Sequence, residues 1–241
     1  MLIEMKKPFA GQKIIHCSEC STKDCSVLKS CTSECLDLIT SLKKVGYFIA
    51  GQRILMEGSI AKGIYFIESG QVKIYKTDSR GQEIILRFAK PGDVIGFSTS
   101  DETNEYQVSA MAIVDTTVCF LDYQAFLELT GRYPELAMEL LRFYKTELSG
   151  LETKSLKLAT MTVPQKVADA ILTMESAFGS SGPQKPLNLI LSRQDIASLA
   201  GTTKEQVSKV ISELNSQRIV ETQGKLISIL QLEKLRSLAK I

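Results

Sequence analysis

The spacing of hydrophobic and polar residues changes character several times along this chain of 241 residues. Up to about Val27 no apolar period is sustained. Leu36, Leu38, Ile39 and Leu42 then fit one face of a short amphipathic helix ending near Gly46. Between residues 47 and 122, apolar and polar residues alternate in short runs that stop at turn formers. Ile64-Tyr65-Phe66-Ile67 stops at Ser69-Gly70, and Val72-Lys73-Ile74-Tyr75 stops at Asp78-Ser79-Arg80-Gly81. Ile84-Ile85-Leu86-Arg87-Phe88 stops at Pro91-Gly92-Asp93, and Val108 to Leu121 gives two more strands around Asp115. Short strands with regular glycine turns predict an antiparallel sandwich or barrel. From about Tyr123 the period becomes helical. Leu141, Tyr144, Leu148, Leu151, Ser155 and Leu158 step by alternating threes and fours. A stripe this narrow suits a partner helix better than a core helix against its own barrel, so a dimerisation seam is expected. Thr162-Val163-Pro164 restarts a helix that runs to about Ala177, with Pro164 in its first turn. Residues 178–186 (FGSSGPQKP) read as a loop.

Residues 192–216, SRQDIASLAGTTKEQVSKVISELNS, carry the most specific local pattern. Ser192 with Asp195 suits a helix start. Ile196, Ala197 and Leu199 face inward, and Gly201 can take the left-handed turn. Thr202 or Thr203 caps a second helix whose buried face is Val207, Val210, Ile211 and Leu214. Two short helices joined at a glycine, with a small residue at the crossing, form a helix-turn-helix. The second helix exposes Thr203, Lys204, Glu205, Ser208 and Lys209, which suit the major groove of double-stranded DNA. Glutamate accepts from cytosine N4, lysine donates to guanine, and serine meets either base edge or phosphate. Arg193 and Arg218 are placed to hold phosphates. A hairpin follows, with Ile219-Val220 and Leu226–Leu230 flanking a turn at Gln223-Gly224-Lys225, as in the wing of a winged helix.

Net charge is +2, so there is no global pull toward nucleic acid. From Thr160 onward ten Lys/Arg stand against seven Asp/Glu, a mild basic bias. No run of about 18 apolar residues predicts a membrane span. The opening MLIEMKKPFAGQ lacks the apolar core of a signal peptide. A cytoplasmic protein is therefore expected, where thiols stay reduced. Against that background the cysteines stand out: Cys17, Cys20, Cys25, Cys31 and Cys35 fall within nineteen residues, and Cys119 is the only other. Thiols clustered this tightly indicate a metal or redox site. No Gly-rich phosphate loop, no Ser/His/Asp set and a single histidine, His16, argue against an enzyme.

The segments SRQDIASLAGTTKEQVSKVISEL, PGDVIGF and SGQVKIYKTDSRGQEIIL resemble the Crp/Fnr family of bacterial transcription regulators, over nearly the whole chain from His16 on. That resemblance implies an α+β chain. A cysteine-rich segment (1–35) would precede a β jelly-roll sensor domain (36–130), a long dimerisation helix (131–160) and a winged helix-turn-helix (161–241). Within the family the chain looks like the Fnr branch. Gly96-Phe97 follows the Pro-Gly-Asp turn where a cyclic-nucleotide pocket needs Gly-Glu, and Val108-Ser109 replaces its Arg-Ser. A buried phosphate without its arginine is costly, so no cyclic nucleotide is expected. Fnr-like proteins bind a [4Fe–4S] cluster through three N-terminal cysteines and one in the barrel. The resemblance assigns these roles to Cys17, Cys20, Cys25 and Cys119, although Cys20-x4-Cys25 is one residue shorter than the commonest spacing. It also implies a homodimer, joined through Leu141, Tyr144, Leu148, Leu151 and Leu158, that reads a palindrome with TTGA-like half-sites. Lys209 stands where arginine is usual, and RNA polymerase is an expected partner. Cys31 and Cys35 are spare in this reading, the alternative being that one of them replaces a cluster ligand. Three other readings stay open on the residues: a zinc site drawing on Cys31 and Cys35, direct thiol oxidation, or a small-ligand sensor in which Cys119 is an ordinary buried cysteine.

Overall fold

The computed structural model describes residues 15–97, 99, 103–179, 192–224 and 226–240. The opening MLIEMKKPFAGQ, most of the 178–186 loop and Lys225 of the expected wing turn lie outside the described residues. The chain divides into two compact units, Met1–Lys76 with Arg87–Leu148, and Thr77–Leu86 with Ser149–Ile241.

The first unit opens with two single-turn 3₁₀ helices, Cys17–Glu19 and Lys23–Cys25, and helix α1 (Ser33–Leu42). Thr32 caps α1 by accepting the Cys35 N–H, and Cys35, Leu36 and Ile39 form its buried face. Burying each of the two larger side chains is worth about 1.5–3 kcal/mol. The helix stops at Leu42, not near Gly46, because Lys43 turns extended and the following residues pair as a strand. The strands are β1 (Lys44–Phe48), β2 (Arg53–Leu55), β3 (Gly63–Ser69), β4 (Val72–Thr77), β5 (Glu83–Ala89), β6 (Val94–Ile95), β7 (Ser109–Ala112) and β8 (Thr116–Asp122). They form two four-stranded sheets, ordered β1-β8-β3-β6 and β2-β7-β4-β5. The described pairings are antiparallel, with Gly46 opposite Val118 and Phe66 opposite Cys119.

Side-chain alternation assigns the two faces of the first sheet to two separate cores. Tyr65, Ile67, Val118 and Phe120 point into the core between the sheets, with Phe48, Leu55, Val72 and Ile74. Ile64, Phe66, Cys119 and Leu121 point outward, into a second core with Cys17, Leu36, Ile39, Phe126 and Leu136. Both faces of β3 and β8 are thus covered, which explains why they read as continuous apolar runs. Helix α2 (Tyr123–Arg132) and the first turns of α3 (Pro134–Thr160) complete the outer layer.

In the second unit, α4 (Val163–Phe178) begins where Gln165 accepts the Thr162 N–H at 2.8 Å. Helices α5 (Arg193–Ala200) and α6 (Lys204–Ser216) follow, then the antiparallel hairpin β9 (Val220–Gln223) and β10 (Leu226–Ile229), and α7 (Leu232–Leu238). Ser192 and Asp195 form a reciprocal capping box at the start of α5. Gly201 is left-handed (φ 59°, ψ 45°), and Thr203 caps α6 through the Gln206 N–H. Ala197, Val207, Val210, Ile211 and Leu214 are buried, as a helix-turn-helix requires.

Candidate sensor site and nucleic-acid interface

The outward face of β8 carries Cys119 to a pocket whose wall also includes Cys17, Cys20, Lys43, Glu68 and Gly92. Cys17 is fixed by its backbone, since its N–H donates to Thr40 Oγ1 at 3.0 Å. The Lys43 ammonium is held by the Ile15 carbonyl at 2.6 Å, and the Cys119 thiol lies 3.9 Å from Glu68 Oε2. Burial pushes the Cys119 thiol up to about 12; Lys43 opposes the rise, while Glu68, Cys17 and Cys20 add to it. All six cysteines are free thiols.

Cys25 stands on the pocket rim, not in its lining. Its thiol is exposed and donates to the Thr22 carbonyl at 3.2 Å, and it lies 3.8 Å from the Pro91 carbonyl. Gly92 makes this approach possible. It sits at φ +95°, and a Cβ there would come within 2.7 Å of Cys25 Sγ. Cys31 and Cys35 form a separate thiol–thiol contact; burial pushes both up, and Cys17 is near enough to add to both. Cys17 is thus within electrostatic reach of both Cys119 and the Cys31–Cys35 pair. Among the described residues no three His, Cys, Asp or Glu side chains are disposed as a ready metal site. The donor set nevertheless fits a thiolate-ligated group in kind, with three of the expected thiols in one pocket wall and the fourth at its rim.

Sequence reasoning passed over Lys43, Glu68 and Gly92. Lys43 and Glu68 look like ordinary surface charges in the sequence, and nothing local marks them as pocket residues. Phe97, which stands where a cyclic-nucleotide pocket needs glutamate, packs its ring 5.2 Å from Phe126 and 5.5 Å from Tyr144. The Ser109 hydroxyl is engaged by the Glu57 N–H at 3.0 Å.

On α6, Thr203, Lys204, Glu205, Ser208 and Lys209 are all exposed along one face. Glu205 is held below the usual carboxylate range, first by its own backbone N–H and then by the Thr203 hydroxyl. It therefore presents an ionised acceptor. Ser208 donates its hydroxyl proton to the Lys204 carbonyl at 2.9 Å, leaving its lone pairs outward. Arg193 is only half exposed, and its Nη1 is buried without a hydrogen-bond partner among the described residues. Arg218 closes α6 in a left-handed conformation (φ 54°).

Along α3, Leu141 (62% exposed), Tyr144 (43%), Leu148 (59%) and Leu151 (42%) leave an apolar stripe open. Leu158 differs, being half-buried with its Cδ2 beside Gly201. Among the described residues no helix is long and apolar enough to cross a membrane.

Two family models match the chain: the cyclic nucleotide-binding domain over residues 46–133 and the Crp-like helix-turn-helix domain over residues 165–238. The chain is 27% identical to the fumarate and nitrate reduction regulatory protein of Vibrio cholerae, covering 98% of this chain and 95% of that one. It is 29% identical to electron transport regulator A of Shewanella oneidensis, covering 93% and 90%. Among solved structures it is similar to FixK2 from Bradyrhizobium japonicum, at 28% identity and a TM-score of 0.73, covering 83% of this chain and 98% of that one.

Proposed function

We propose, since this chain belongs to the Crp/Fnr family of DNA-binding transcription regulators, that it is an oxygen-responsive member holding a [4Fe–4S] cluster. It acts by binding DNA, not by catalysis. Its similarity to the fumarate and nitrate reduction regulatory protein of Vibrio cholerae supports a role in anaerobic regulation. The observation that carries the cluster reading is the shared pocket of Cys17, Cys20 and Cys119, which joins the N-terminal segment to the sheet. Cys25 completes the set of four thiolates from the rim. When bound, the group supplies four iron corners for the four thiolates and an oxidant-labile link between them. The protein's own part is positioning. Thr40 fixes the Cys17 backbone, Lys43 sets a positive charge near the Cys119 thiol, and the outer core keeps water from the pocket wall. A cyclic nucleotide is not the signal in this reading: the Phe97 ring is packed among aromatics and Ser109 is engaged by backbone.

The homodimer forms through the exposed α3 stripe, and each α6 enters a major groove at one half of a TTGA-like palindrome. Glu205 accepts from cytosine N4, Lys209 donates to guanine, and Thr203, Lys204, Ser208 and Arg193 contact bases or phosphates. Lysine at 209 lacks the bidentate fork of arginine, so preference at its base is looser. RNA polymerase is the protein partner through which such a regulator acts, and the cytoplasm is where it meets DNA.

A second reading has one observation in its favour: the contact between the Cys31 and Cys35 thiols, which suits zinc or direct thiol chemistry. Anaerobic purification separates the two. A brown protein with iron and visible absorption that bleaches in air supports the cluster, and Cys119→Ser is expected to lose that iron. A colourless wild-type protein, or full iron in Cys119→Ser, would refute the assignment. Gel shifts against the palindrome and a scrambled duplex test the DNA reading, and equal affinities would reduce it to nonspecific charge.

A further inference from the structure

Glu139 is the acidic side chain of α3 that is shut away from solvent, at 3% exposure in the helix's second turn. Its partners come from two places. Arg142, one turn along α3, pairs with Oε1. The other two come from the cysteine-bearing segment: Ser30 Oγ donates to Oε1 at 2.7 Å, and Lys29 Nζ lies 3.0 Å from Oε2. Lys29 and Ser30 immediately precede Cys31, and both are exposed. The carboxylate is thus covered by its partners and not by depth in the core. The Ser30 hydroxyl first, then Lys29 and Arg142, hold it below the usual carboxylate range. A second tie lies nearby, where Arg132 pairs with Glu34 and the Tyr133 hydroxyl donates to Glu34 at 3.1 Å.

We infer that Glu139 is the positioning residue through which the state of the cysteine-bearing segment reaches α3. The inference deepens the oxygen-sensing reading and rests on it. A covered carboxylate keeps its place only while its donors do. Displacing the segment removes two of the three donors at once, leaving a charge that must recruit water or turn out of its site. Glu139 lies between Met138 (50% exposed) and Leu141, the first two open apolar residues of α3, so a rearrangement at Glu139 acts at the N-terminal end of the stripe. Cys119 anchors the segment to the sheet, whereas Glu139 connects it to the helix that carries the stripe.

The test compares wild type, Glu139→Gln, the double variant Lys29→Ala/Ser30→Ala, and Arg142→Ala as full-length proteins purified without oxygen. Three quantities are read: iron per chain, dimer fraction by light scattering, and the ratio of DNA affinities before and after exposure to air. Glu139→Gln and the double variant are expected to keep wild-type iron while their affinity ratio falls to about one, the value for zero coupling. Arg142→Ala, which leaves both donors from the segment in place, keeps the wild-type ratio. Wild-type switching in iron-loaded Glu139→Gln overturns the inference. Loss of iron together with switching also overturns it, since Glu139 would then only support the segment. An equal collapse in Arg142→Ala overturns it by showing that any damage to α3 suffices. Alkylating the thiols with iodoacetamide perturbs the segment without needing a cluster. It should change the dimer fraction of wild type and leave that of Glu139→Gln unmoved; equal changes in both overturn the inference. A wild type without iron whose dimer fraction still responds in this way sinks the cluster reading and leaves Glu139 standing.

Discussion

A single lysine shows how strongly position alters a common residue. Lys154 of α3 donates to the carbonyls of Ile85 at 2.6 Å and Leu86 at 3.0 Å. Burial lowers its pKa from the ordinary 10.5 to about 8, with Asp169 opposing the shift. The folded value therefore lies below the unfolded one. Between pH 8 and 10.5 the unfolded chain holds a proton that the folded chain has given up, so stability rises with pH across that window. The full shift corresponds to at most about 3 kcal/mol. Chemical denaturation of wild type and Lys154→Met at pH 7.5 and pH 10 should show wild type gaining relative to the variant at the higher pH. A constant difference between the two would show that the lysine is solvated. Nothing in the sequence marks Lys154, which looks like one more solvent-facing residue off the leucine stripe. Glu139 is equally silent there, because the Ser30 hydroxyl that meets it lies 109 positions away.

Elements were legible where their instructions are local. The capping box at Ser192 and Asp195, the left-handed Gly201 and the cap at Thr203 each depend on residues within four positions, and all three form as expected. Gly201 illustrates the energetics. A side chain there meets both a positive φ and the Leu158 Cδ2, which lies 3.1 Å from where a Cβ would stand. Gly201→Ala should therefore cost about 1–2 kcal/mol, read as a lower denaturant midpoint with an unchanged slope; no change would show that the turn relaxes freely. Legibility failed where a partner decides the outcome. Lys44-Val45-Gly46 carries a glycine that resembles a helix stop, yet its pairing with β8 makes it strand β1. The stripe on α3 also proved heterogeneous, because periodicity cannot distinguish a side chain left open, such as Leu148, from one packed beside a glycine of its own chain, such as Leu158.

At the scale of the whole molecule, the open stripe makes the assembly state testable. Leu148→Glu with Leu151→Glu places charge on two exposed positions of α3, so folding should be little affected while a dimer seam would fail. Light scattering should then show a monomer, with palindrome affinity falling accordingly; a persistent dimer would move the interface elsewhere. The alternation along β8 has a broader consequence. Val118 and Phe120 belong to the space between the sheets, and Cys119 and Leu121 to the layer outside. The strand is thus a partition with a different tenant on each side. The inner core can be repacked by changing Val118 and Phe120 while the thiol outside keeps its place. A single-residue insertion in this strand would exchange the two sides, carrying the thiol indoors and turning the aromatic filling out.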